Sequence, residues 1–143
     1  MSTGKQSKDY LADYGLKATQ PRLALLELFL HAPQAQTAPE VLAALTARQR
    51  LHKVTVYRML HLFTRKGLLR KLSLEGRADY YELAGGLRCP HPHFQCQRCG
   101  AVQCLEPIDL NRLLADLHGA EGNLALWVEI RVAGLCPNCR ELA

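Results

Sequence analysis

Residues 54–67 read Val-Thr-Val-Tyr-Arg-Met-Leu-His-Leu-Phe-Thr-Arg-Lys-Gly. Val56, Leu60 and Phe63 recur at i, i+4 and i+7, Met59 widens the stripe, and Gly67 stops the run, so this stretch reads as an amphipathic helix. Thr55, Tyr57, Arg58 and His61 fall on its other faces. Upstream, Thr37-Ala-Pro-Glu40 has the spacing of a capping box and opens a helix carrying Val41, Leu42 and Leu45. Further back, Pro21 suits a first helical position, with Leu23, Leu26 and Leu30 beside Ala24 and Leu28 as its apolar stripe to His31. Residues 8–14 read as a short first helix ending at Gly15. Downstream, residues 68–74 and 78–83 flank Glu75-Gly76-Arg77 as a β-hairpin. Helices followed by a hairpin predict a winged helix-turn-helix, with the helix of residues 54–66 offered to the DNA major groove.

Charge follows the same division. Residues 1–88 hold 14 of the 18 Lys/Arg and 7 of the 13 Asp/Glu, a balance of +7, whereas residues 89–143 hold 4 and 6, or −2. A basic N-terminal half suggests a polyanionic partner; a merely solvated basic surface is the plainer alternative. No apolar run approaches the roughly 18 residues of a membrane helix, so a soluble, cytoplasmic chain without membrane contact is expected. At 143 residues and 48% hydrophobic, the chain holds one ordinary domain or two small ones.

The second half carries Cys96-Gln-Arg-Cys99-Gly100 and Cys136-Pro-Asn-Cys139. Each Cys-X2-Cys pair can grip one side of a tetrahedral Zn²⁺, and the 36 residues between the pairs must fold back to close the shell. Two disulfides, or a redox pair, are the competing reading. No leader-like apolar run opens the chain, so a reducing compartment and a structural Zn²⁺ on Cys96, Cys99, Cys136 and Cys139 are expected. Strands are expected near Phe94, Val102 and residues 124–132, with a helix at residues 108–118 and a hinge at Gly85-Gly86. The domains predicted are a winged helix at 1–84, a hinge at 85–88 and a metal-binding unit at 89–143, in an α+β fold.

Leu16-Lys-Ala-Thr-Gln-Pro-Arg22, Thr55-Val-Tyr-Arg58, Gly76…Tyr81-Glu82-Leu83, His91-Pro-His93-Phe-Gln-Cys96 and Gly134-Leu-Cys136-Pro-Asn-Cys139 together resemble the ferric uptake regulator (Fur) family, in order and over nearly the whole chain. The resemblance implies a homodimeric, metal-dependent repressor. Its winged helix would bind an inverted-repeat operator in double-stranded DNA, and its small C-terminal α/β domain would dimerise. By position it implies a hinge sensing site of Glu82, His91, His93 and, where many members have a carboxylate, Cys104. Gln36 stands where a further His often joins that site. Prolines in Cys89-Pro-His91-Pro-His93 replace the His and Asp of an additional site, whose other positions fall near Asn111 and Val128, so that site is expected to be absent.

Donor chemistry then bears on the metal. His91 and His93 alternate by two, so on an extended strand both imidazoles point the same way. Adding Cys104 or Cys89 makes a nitrogen–sulfur set that suits Zn²⁺ better than Fe²⁺. Cys104 can equally be read as a small buried hydrophobe and Cys89 as a free surface thiol. The chain is therefore most like the zinc-responsive branch of the family. An iron- or peroxide-responsive regulator is the alternative, favoured if Glu82 and Glu106 keep the site oxygen-rich and Fe²⁺-loaded. Thr55, Tyr57 and Arg58 are the candidate base-reading residues, and Lys17 and Arg22 the candidates for phosphate or minor-groove contact. An enzyme built on Cys89 and His91 lacks an orienting third group and an oxyanion motif, so none is expected.

Overall fold

The computed structural model describes residues 6–72, 74, 78–84, 91–116, 122 and 130–142. The chain divides into two compact units, Met1–Leu87 and Arg88–Ala143.

The first unit is helical with a small sheet. Helix α1 spans Ser7–Asp13, α2 Gln20–His31, α3 Ala38–Arg48 and α4 Lys53–Arg65. Strand β1 (Gln36–Thr37), β2 (Leu69–Leu72) and β3 (Tyr80–Leu83) form an antiparallel sheet in the order β1-β3-β2. Thr37 caps α3 as its sequence demands. Its backbone N–H donates to Glu40 Oε2 at 2.7 Å, and its hydroxyl oxygen accepts from the Glu40 N–H at 3.4 Å. Helix α4 ends where Gly67 takes φ +78°, a left-handed turn open to glycine, and the Leu68 N–H returns to the Phe63 carbonyl at 2.9 Å. The hairpin turn of residues 75–77 lies outside the described residues.

One apolar core unites these elements. Leu11, Leu25, Leu26, Phe29, Val41, Leu45, Val56, Leu60, Phe63 and Leu68 are buried in it. On α4 the buried set is Val56, Met59, Leu60 and Phe63, the stripe read from sequence. On α2 the expected stripe needs correction. Ala24, Leu25, Leu26 and Phe29 are buried, while Leu23, Leu28 and Leu30 only pack partly against the core. That helix is apolar almost all round, so its period does not single out one face.

The second unit is built differently. Strands β4 (His93–Cys96) and β5 (Val102–Cys104) pair antiparallel, β6 (Arg131–Gly134) pairs parallel with β4, and helices α5 (Leu110–Asp116) and α6 (Pro137–Glu141) complete it. Helix α5 starts two residues after the expected Ile108; residues 117–121 and 123–129, including most of the expected strand at 124–132, lie outside the described residues. Among the described residues of this unit, the buried side chains are Pro92, His93, Gln95, Cys96 and Cys139, with no large aliphatic among them. Two of these buried side chains, Cys96 and Cys139, are thiols that a metal could bind.

Candidate metal centres and nucleic-acid face

The four knuckle cysteines converge. Cys96 ends β4, and the turn after it closes as the Gly100 N–H returns to the Cys96 carbonyl at 2.9 Å, with Gly100 at φ +75°. Cys136 caps α6, and Cys139 lies in its first turn. Arg98 ties the two knuckles, its Nη1 donating to the Cys139 carbonyl at 2.9 Å. All four Sγ atoms lie within 4.8 Å of one another. A tetrahedron with Zn–S bonds of about 2.3 Å spaces its sulfurs by about 3.8 Å. Cys99 Sγ and Cys136 Sγ are 3.8 Å apart, so the residues present fit a Zn²⁺. They are not disulfide-bonded, which would need a separation of about 2.05 Å.

The thiols are electrostatically unequal. Backbone N–H groups of Cys99 and Cys136 stabilise the Cys96 thiolate and lower its pKa to about 6; the Cys136 N–H lies 3.4 Å from the Cys96 sulfur. Burial, and then the neighbouring thiols, push Cys139 up to about 12. A dication resolves the conflict, because a coordinating thiol is deprotonated outright.

A second cluster lies at the other end of β4. His93 and Cys104 face each other across the β4–β5 ladder. The Leu105 N–H reaches the Pro92 carbonyl at 2.9 Å, which draws the His91–His93 segment over the end of β5. The two imidazole centroids stand 4.7 Å apart with their planes tilted by 57°. One ligand atom from each of His91, His93 and Cys104 falls within 4.8 Å of the others. Two nitrogens and a sulfur so placed fit a borderline metal such as Zn²⁺. Cys89 lies outside the described residues, as does the hinge at 85–88.

Glu82 belongs to the first unit, on β3, and is 2% exposed. Arg70 sits opposite it in the β2–β3 register; its Nε donates to Glu82 Oε1 at 2.5 Å and its Nη2 ion-pairs with the same oxygen. The pairing follows from the β2–β3 register, because residues facing each other across a ladder share a side of the sheet. Glu106 is exposed, and Gln36 lies on β1 with its amide donating to the Gln34 carbonyl.

The exposed side of α4 shows Val54, Thr55, Tyr57, Arg58, His61 and Arg65, and the helix carries no acidic residue. Tyr57 is 39% exposed with Lys53 Nζ 5.5 Å from its ring centre. Arg58 is exposed and pairs with no acid among the described residues. Lys17 is exposed, and Arg22 donates from Nη1 to the Lys17 carbonyl at 3.1 Å, so it braces the turn that presents Lys17. His31 accepts a local role, its Nδ1 lying 2.8 Å from the Glu27 carbonyl.

A winged helix-turn-helix joined to a thiolate-rich metal-binding unit defines a metal-responsive DNA regulator. Residues 13–130 match the model of the Ferric uptake regulator family, and the chain belongs to that family of transcriptional regulators. It is 31% identical to the transcriptional regulator FurA of Mycobacterium tuberculosis, over 97% of this chain and 93% of that protein. Among solved structures it is similar to the ferric uptake regulator of Vibrio cholerae, at a TM-score of 0.73 and 26% identity, covering 90% of this chain and 98% of that one. The ferric uptake regulator of Francisella tularensis, solved with iron, gives a TM-score of 0.71 and 27% identity, over 88% and 96% of the two chains. No helix among the described residues is long and apolar enough to cross a membrane.

Proposed function

We propose that this protein is a zinc-responsive transcriptional repressor that binds an inverted-repeat operator as a homodimer when its sensing site is loaded. The observation that carries the reading is the mutual approach of His91, His93 and Cys104, a nitrogen–sulfur donor set in the second unit. Glu82 is the fourth donor in this proposal. It stands three residues before Gly85-Gly86, while His91 lies beyond them, so the four donors bracket the glycines. A dication held by these donors would restrain the segment between Glu82 and His91. In this proposal the Gly85-Gly86 pair is the hinge, glycine being conformationally permissive. Fixing that hinge makes metal and operator binding mutually favourable, and by linkage the coupling is reciprocal.

In the same reading Cys96, Cys99, Cys136 and Cys139 hold a structural Zn²⁺ that keeps the second unit folded and the dimer intact. Thr55, Tyr57 and Arg58 read bases in the major groove, and Lys17, presented by Arg22, meets phosphate or the minor groove. Cys89 is kept as a second sulfur candidate, with Cys104 preferred because its pairing with His93 supports it.

An iron-responsive regulator is the second reading. It is favoured by the names of the relatives, which include the ferric uptake regulation protein of Neisseria gonorrhoeae at 30% identity. Glu82 adds one oxygen donor in its support, but Glu106 is exposed. Strict chelation followed by parallel titration with Zn²⁺ and anaerobic Fe²⁺, read by operator binding and metal content, separates the two. Zinc should restore binding at the lower free concentration. Restoration by Fe²⁺ alone would establish the second reading.

A further inference from the structure

Among the described residues of the first unit, Val54 is the most exposed large hydrophobic, at 61%. It occupies the first turn of α4, where the apolar duty belongs to its neighbour Val56, which is fully buried. At the helical spacing, Val54, Arg58, His61 and Arg65 form one line at i, i+4, i+7 and i+11, and all four are exposed. Val54 keeps most of its surface in water at the head of a line that carries Arg58 and Arg65, and valine is a weaker helix former than alanine. The end of a recognition helix that reaches base edges is its N-terminal one, while cations further along meet the backbone. The apolar feature that a major groove offers there is the C5-methyl group of thymine. In a helix, valine is held largely in one rotamer, so such a contact orders little.

Resting on the reading of α4 as the recognition helix, we infer that Val54 is a specificity-determining residue that recognises a thymine through its C5-methyl group. Arg58, one turn along the same line, then reads or clamps the neighbouring step. Cytosine, which presents an amino group and no methyl, is disfavoured at that place, and uracil differs from thymine by the methyl alone.

The test uses the metal-loaded full-length protein and a duplex that it selects from a randomised library. Each thymine is replaced in turn by uracil, symmetrically in both half-sites. Wild type should lose affinity at one position by about fourfold per half-site, the worth of one methyl-sized contact. Val54→Ala should bind the parent duplex more weakly and show no further loss with uracil at that position, whereas Val54→Ile should keep the penalty. Loss of fold is not at issue for an exposed Val→Ala change in a helix, and circular dichroism checks it. If Val54→Ala kept the wild-type uracil penalty at every position, or wild type showed none, the inference would be overturned. If wild type selected a sequence but Arg58→Ala left both affinity and preference unchanged, the assignment of α4 itself would fall, and Val54 with it.

Discussion

Cys99 and Cys136 lie 37 residues apart in the chain, yet their sulfurs stand 3.8 Å from each other, the edge length of a zinc–thiolate tetrahedron. Around them the described part of the second unit buries no large aliphatic side chain. Metal ligation would tie these two knuckles together across the chain. Structural zinc sites contribute about 10–16 kcal/mol of apparent binding energy in small peptides, and that energy is folding energy. Cys99→Ser or Cys136→Ser should lose one Zn²⁺ per chain, unfold the second unit and abolish dimers. Metal analysis with analytical ultracentrifugation checks this; a Cys99→Ser protein that stays dimeric with unchanged thermal stability would refute the assignment.

The Arg70–Glu82 pair sets a second expectation. Glu82 is buried, and removing Arg70 takes a guanidinium away from its Oε1. Breaking a fully buried pair costs about 3–5 kcal/mol. Arg70 keeps a third of its side chain in water, so Arg70→Met should cost less, about 2–3 kcal/mol. Urea unfolding of the metal-free protein measures it. The double variant Arg70→Met/Glu82→Gln should recover part of the loss, because the buried side chain is then neutral.

Alkaline pH should weaken the first unit. Burial, and then the Asp79 charge, raise the pKa of Tyr81 above 10.0, and the hydrogen bond to Asp79 raises that of Lys71 above 10.5. The fold thus favours the protonated form of both groups. Their contribution is complete below the unfolded values and is lost as pH rises through the folded ones. Urea midpoints should be flat up to about pH 9 and fall beyond about pH 10. Tyr81→Phe should remove part of that fall; a slope unchanged in the variant would show that Tyr81 plays no part.

Base reading and phosphate anchoring are separable on α4 and the turn before α2. Arg58→Ala should cost about 1–3 kcal/mol on the preferred operator and relax preference at one base pair. Lys17→Ala should weaken all sequences alike and reduce the salt slope by about one. Competition binding across single-base operator variants at two salt concentrations distinguishes them. Equal losses on every sequence for Arg58→Ala would reassign it to the backbone.

Much of this was legible in the residues, for local reasons. The Thr37–Glu40 capping box and the Val56/Met59/Leu60/Phe63 stripe are decided within one or two helical turns, and both stand in the structure. On α2 only Ala24 and Leu26 of the expected stripe are buried, because Leu23, Leu25, Leu26, Leu28, Phe29 and Leu30 cover most of the helix and only its neighbours choose among them. Strand β1 and helix α6, at two and five residues, are too short to show a period. Cys104 illustrates the remaining gap. The family resemblance marks its position as a donor, but its place beside His93 follows from the β4–β5 register, which alternation alone does not specify.

The central claim is that His91 and His93 help hold the metal that licenses DNA binding without themselves holding the fold together. The most direct measurement is the operator affinity of His91→Ala/His93→Ala at saturating Zn²⁺, set beside wild type with and without its sensing metal. The double variant should remain a folded dimer with its structural Zn²⁺, and should bind about 5- to 150-fold more weakly than loaded wild type, at the level of the chelated protein. Binding by the double variant that equals loaded wild type would contradict the account.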